Sequence, residues 1–151
     1  FGGHPMAAGL SLPTENIDLF RAKLNRQQTL TEKELTPVTW IDVPMPVSYA
    51  SKKLVEQLRV LEPFGKGNEK PVFADRKLTV RSANMIGKNK NVLKMQLEDT
   101  QGHVVDAIQF KVEEDMPLRG KEISIVYYPD INEFRGNQTL QFIVQEWCYT
   151  T

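Results

Sequence analysis

The residues best suited to chemistry stand at the start of the chain: Gly2, Gly3 and His4, followed by Ala7, Ala8 and Gly9. Two consecutive glycines leave their amide N–H groups unshielded, so both can converge on one anionic oxygen in a nest-like arrangement. A histidine beside them can donate, accept or carry charge near neutral pH, and so can hold the same phosphate or a neighbouring metal-bound group. A tight turn that packs closely through Ala7, Ala8 and Gly9 explains the same residues without any ligand. A chain that opens inside such a motif is expected to have lost what preceded it.

A second set of candidates is basic. The stretch Ile86-Gly87-Lys88-Asn89-Lys90-Asn91 carries two lysines, and the stretch Pro129 to Asn137 carries Phe134 and Arg135. Lysines neutralise phosphates, an aromatic ring stacks a base, and arginine can do either. Lys94 and Gln141 fall on outward strand positions that would continue such a surface. Polar, glycine-rich hairpin loops also occur without a ligand. Paired carboxylates and imidazoles, as two-metal phosphodiester hydrolysis needs them, do not occur at recognisable spacing, and no nucleophile–base arrangement replaces them. Gly65-Lys66-Gly67-Asn68 lacks the spacing of a phosphate loop. The run Glu113-Glu114-Asp115 reads as a solvated loop. His103 reads as a surface histidine, since its nearest carboxylate, Asp106, falls on the opposite face of a regular strand.

Positioning these residues requires two kinds of element. Ile17, Phe20 and Leu24 recur at helical spacing behind Thr14, which predicts an amphipathic helix ending near Gln28, with a solvated turn over Thr31 to Glu34. Val38 to Val43, bracketed by Pro37, Pro44 and Pro46, reads as an edge strand or an extended crossing segment, with Trp40 in the core. Ser48 is expected to cap a second helix bearing Ala50, Leu54, Val55, Leu58 and Leu61, closed by Pro63 and the following glycines. From Val72 onward the period changes to two. Five strands are predicted over 77–86, 91–98, 103–110, 121–131 and 139–147, with Thr100-Gln101-Gly102 as a hairpin turn and 111–119 as a break. Leu93, Met95 and Leu97 point inward, as do Leu140, Phe142 and Val144. Tyr127, Tyr128 and Trp147 belong to barrel packing.

Five strands with a break after the third is the pattern of an oligonucleotide-binding (OB) barrel, with a sandwich or an SH3-like barrel as the alternatives. The expected fold is therefore mainly β with two helices. Length and charge agree with such a domain: 151 residues allow one sizeable core, and 19 basic against 19 acidic residues leave no net field, so any nucleic-acid surface is a local patch. Cys148 is the single cysteine, which excludes an internal disulfide and fits a reducing, cytoplasmic setting. No apolar run approaches the roughly 20 residues of a membrane span.

The pattern Gly-Gly-His-x-x-Ala-Ala-Gly resembles the signature near the end of the DHH-associated domain of the DHH phosphoesterase superfamily. Leu61-Glu62-Pro63-Phe64-Gly65-Lys66-Gly67-Asn68, followed by Pro71-Val72-Phe73, resembles the junction between that domain and the OB domain in RecJ-type exonucleases. Val92-Leu93-Lys94-Met95, Asp106-Ala107-Ile108-Gln109-Phe110 and Asn132-Glu133-Phe134-Arg135-Gly136 are similar to that family's OB segment in order and spacing. The resemblance implies a partial α/β DHH-associated domain over 1–47, a connecting helix and loop over 48–70, and an OB domain over 71–151. It also implies 5′-to-3′ degradation of single-stranded DNA in repair and recombination, by two manganese or magnesium ions in a DHH domain that this sequence lacks. Gly2, Gly3 and His4 would then hold substrate, His4 as the positioning residue near those metals. Lys88, Lys90, Lys94, Phe134 and Arg135 would grip the strand, and the 151 residues alone would bind DNA without cutting it. The alternative is an OB module for protein interaction, with single-stranded-DNA-binding protein as a candidate partner and no direct DNA contact.

Overall fold

The computed structural model describes residues 2–4, 7–112 and 115–150. They form two compact units, 1–39 and 40–151. In the first, strands β1 (Gly2–His4) and β2 (Ala7–Gly9) pair antiparallel, with His4 opposite Ala7 and Gly2 opposite Gly9. A 3-10 turn over Thr14–Asn16 leads into α1 (Ile17–Gln27), and a four-residue helix, α2 (Glu32–Leu35), follows. The solvated turn expected at Thr31 is thus a helix start. Thr31 Oγ1 accepts from the Glu34 amide while the Glu34 carboxylate accepts from the Thr31 amide, a reciprocal cap that holds a single helical turn. No described residue of this unit is buried.

The second unit is a closed barrel. Its strands are β4 (Phe73–Ile86), β5 (Val92–Glu98), β6 (Val104–Phe110), β7 (Glu122–Phe134) and β8 (Asn137–Tyr149), preceded by the two-residue strand β3 (Val43–Pro44). Antiparallel pairs join β4 to β5, β5 to β6 and β7 to β8. Closure comes from β4 pairing antiparallel with β7, and from β6 running parallel to β8 over Ala107–Gln109 and Phe142–Val144. The barrel is unevenly sealed: the β7–β8 hairpin is long, whereas the β6–β8 seam is short. The alternating residues of these strands fill the interior with Leu78, Val80, Leu93, Met95, Leu97, Ile123, Ile125, Tyr127 and Phe142, each at most 1% exposed. Tyr127 and Phe142 lie 5.2 Å apart between ring centroids, and the Tyr127 hydroxyl donates to the Met45 carbonyl at 2.8 Å. Burial, with the Asp75 carboxylate nearby, pushes that hydroxyl far above the ordinary tyrosine range, so it stays a neutral donor.

The segment 40–47, expected with the first piece of the chain, is held by the barrel instead. Asp42 bonds Val72 through both its amide and its carboxylate, the Met45 amide donates to Ala74, and the Val47 amide donates to Asp75 Oδ2 at 2.7 Å. Trp40 is not in the core; it is 83% exposed. Pro44 and Pro46 remove two donors from this run, so only Val43–Pro44 joins the sheet edge and the tryptophan before it has no interior to enter. The expected second helix starts later than Ser48. Ser51 caps α3 (Lys52–Leu58) by accepting from Leu54, and a 3-10 turn over Val47–Tyr49 precedes it. Its face buries Val55 and packs Leu58 against the barrel, with Ala50 just before it also packed there, while Leu61 stays half open. The loop after it covers the outer side of β7: Phe64 meets Tyr128 edge-on at 6.3 Å, and the Lys70 ammonium sits 4.0 Å from the Tyr128 ring.

Candidate nucleic-acid interface

Lys88 and Lys90 lie in the turn joining β4 to β5. The Lys90 amide closes this turn on the Gly87 carbonyl at 3.1 Å, with Gly87 at φ 85° and Lys90 at φ 47°. Gly87 suits such a backbone because it carries no Cβ; Lys90 adopts it in spite of one. Lys94 stands two residues beyond Val92 on β5, opposite Asn84 of β4, and faces solvent while Leu93 and Met95 fill the core. The structure therefore gathers Lys88, Lys90 and Lys94 at one end of the β4–β5 hairpin. Among the described residues no ion pair engages any of the three.

Phe134 and Arg135 belong to a different hairpin. The nine-residue loop expected over 129–137 is almost entirely strand: β7 runs to Phe134, β8 resumes at Asn137, and only Arg135-Gly136 turns. With φ of 51° and 78°, these two residues match the turn whose twist suits a two-residue hairpin. Phe134 is 65% exposed, and the Arg135 guanidinium stacks over its ring at 5.2 Å. An open ring and a cation thus share one tip. Gln141 lies further back on β8, half-buried opposite Asp130.

Gly2, Gly3 and His4 sit in the first unit, in an extended hairpin rather than a nest. Neither glycine has the left-handed backbone that lets successive amides converge, because strand pairing directs them to Gly9 and Ala8 instead. A Cβ added at Gly2 or Gly9 would meet nothing within 4 Å among the described residues. All three residues are exposed. Phe1, Pro5, Met6, Glu113 and Glu114 lie outside the described residues.

His103 is exposed as expected, but its carboxylate partner is Asp99 across the β5–β6 turn, not Asp106. Asp99 Oδ2 lies 3.0 Å from His103 Nδ1, and Oδ1 accepts from the amides of Gln101 and His103, both at 2.8 Å. The spacing of a tight turn, not a strand, governs this pair. Burial alone would raise the Asp99 carboxyl, but the bonds from His103 and Gln101 outweigh it and hold it below the usual range. Among the described residues no three His, Cys, Asp or Glu side chains stand close enough to hold a metal ion. No described helix is long and apolar enough to cross a membrane.

Sequence reading passed over Phe110 and Lys111. Phe110 pairs with Val92 at the same end of the sheet as the lysine turn and is 54% exposed. Its parity with Asp106 and Ile108, opposite to that of the inward Ala107, was the available signal.

A family model described as the RecJ OB domain matches residues 41–146, which take in the whole barrel circuit through most of β8. The single-stranded-DNA-specific exonuclease RecJ of Haemophilus influenzae is 37% identical over 149 residues, covering 95% of this chain and 26% of that protein. The Bacillus subtilis protein of the same name is 31% identical over 150 residues, covering 97% of this chain and 19% of its own length. This chain thus spans about a quarter or less of the curated relatives it matches. The crystal structure of RecJ in complex with Mn2+ from Thermus thermophilus superposes with a TM-score of 0.70 at 19% identity, over 99% of this chain and 22% of that one. The closed barrel and the family model agree, and the chain belongs to the RecJ OB domain family.

Proposed function

We propose that this chain grips single-stranded DNA as part of a 5′-to-3′ single-strand-specific exonuclease, the chemistry residing in parts of such a protein outside these 151 residues. The observation that carries the reading is the cluster of Lys88, Lys90 and Lys94 on an OB barrel, on the turn and outer sheet face by which such barrels hold oligonucleotides. The relatives' names specify the strand type. Two manganese or magnesium ions would belong to the separate catalytic domain, where His4 and its glycines would position the scissile backbone. Such an enzyme would act in repair and recombination in the cytoplasm. A protein contact, with single-stranded-DNA-binding protein as the candidate, is the second reading. It is favoured by Trp40, 83% exposed, and Val60, 82% exposed, on the same unit.

Titration of the chain with fluorescent oligo-dT at several salt concentrations tests the first reading. Binding should weaken as salt rises, and Lys88→Ala with Lys90→Ala should lower the salt slope by about 1.4, near 0.7 for each phosphate contact on a single strand. No binding at low salt, or binding indifferent to the double substitution, refutes the reading and leaves the protein contact.

A further inference from the structure

The outer face of β4, β5 and β6 is graded from one end to the other. Inward Leu93, Met95 and Ala107 set the parity, so alternate residues turn outward in register across the three strands. Ile86, Val92 and Phe110 make the first row; Asn84, Lys94 and Ile108 make the second. The first row is apolar yet open, with Phe110 54% and Ile86 39% exposed. Core packing does not account for a ring left half in water on a sheet face.

Cations share that end of the sheet. Lys94 stands in the adjoining row, the Lys88–Lys90 turn follows Ile86, and Lys111 comes directly after Phe110. The Val112 amide donates to the Asn91 carbonyl at 3.0 Å, which draws the backbone of Lys111 in beside the lysine turn. Lys111 holds φ 59° there, a conformation that glycine would adopt with less strain. Farther along the same face Gln96 stands opposite Asp106, which has no ion-pair partner among the described residues, and Glu98 is neutralised by Arg81 at 2.6 Å.

We propose that Phe110 is a base-stacking platform for single-stranded nucleic acid, with Lys111 on an adjoining phosphate and Asp106 terminating the footprint. The proposal rests on the DNA-binding reading above and adds to it a contact made to bases rather than to phosphates. An exposed ring stacks any base, because every base has a π-face; Ile86 and Val92 extend the apolar floor, and the lysines neutralise the backbone that crosses it. Asp106 repels phosphate, which confines the strand to the first two rows.

The test is a titration of the whole chain with oligo-dT and with an abasic strand of equal length, each at several salt concentrations. Phe110→Ala is expected to weaken oligo-dT binding about tenfold, the loss of one stacked base, while leaving abasic affinity and the salt slope unchanged. Phe110→Trp should restore the affinity, with its emission quenched by the bound strand. Lys111→Gly suits the local backbone and should keep the fold while lowering the salt slope by about 0.7. If Phe110→Ala binds oligo-dT as the parent chain does while the Lys88 and Lys90 substitutions weaken it, the platform is wrong and the DNA reading stands. Equal losses on oligo-dT and abasic strands make Phe110 a structural residue and overturn the platform as well. If the parent chain binds neither strand, both readings fall and the face belongs to a protein partner.

Discussion

Four non-glycine residues among those described have a left-handed backbone: Lys77, Lys90, Lys111 and Arg135. All four are basic. A side chain other than glycine or asparagine is strained in that region by roughly 1–2 kcal/mol, so these positions, Lys77 at the irregularity within β4 and the other three at strand ends, carry a cation in place of the most stable residue. Arg135 gives the sharpest contrast, because Asn-Gly is the preferred pair for its turn. Arg135→Asn should raise stability by about 0.5–1 kcal/mol and, on the DNA-binding reading, weaken oligo-dT binding. Thermal melts and titrations on the same sample check this, and a lower melting temperature would refute the turn assignment. Residue types were legible in the sequence here: Lys88, Lys90, Phe134 and Arg135 stood out by chemistry alone. Their backbone state was not, since left-handed turns are normally signalled by glycine or asparagine and here lysine or arginine takes the position.

Among the elements, the strands were legible because alternation survives even where composition is polar. Leu93, Met95 and Leu97 alternate with Lys94 and Gln96, and the structure buries them as that pattern requires. The end of β7 was not legible. Asn132 and Glu133, beyond the predicted strand, read as loop by composition, but residues of β8 opposite them complete the ladder, and pairing across a hairpin overrides local preference. The β5–β6 hairpin carries a testable electrostatic device in Asp99. Its carboxyl is held below the ordinary value, so the stability it adds is complete above about pH 4 and is lost as pH falls through the lowered value. Asp99→Asn should melt a few degrees below the parent chain at pH 7, and the gap should close toward pH 3. Melting curves over that range check the sign; a gap that widens on acidification contradicts it.

On the scale of the whole molecule, burial is confined to one unit. Every fully buried apolar side chain among the described residues, from Val47 to Val144, lies in 40–151, and none lies in 1–39. Residues 40–151 alone should therefore melt within about 3 °C of the full chain, a difference smaller than the loss of 1 kcal/mol produces in a domain of this size. A much lower transition by calorimetry would show that the first unit carries core stability. That division was only partly visible in sequence. The glycine–histidine motif marks the first unit, but Val38 to Val43 reads as one edge strand or extended crossing segment and gives no sign that the boundary falls beside Trp40. The barrel itself has one further consequence. The meander β4–β5–β6 and the hairpin β7–β8 each form from neighbours in sequence, whereas the seam from Ala107–Gln109 to Phe142–Val144 joins residues far apart along the chain, reinforced by the Gln109 amide on the Gln145 carbonyl. Closing that seam orders a long intervening loop for few contacts, so it forms late in folding and is the first line along which the barrel breathes open.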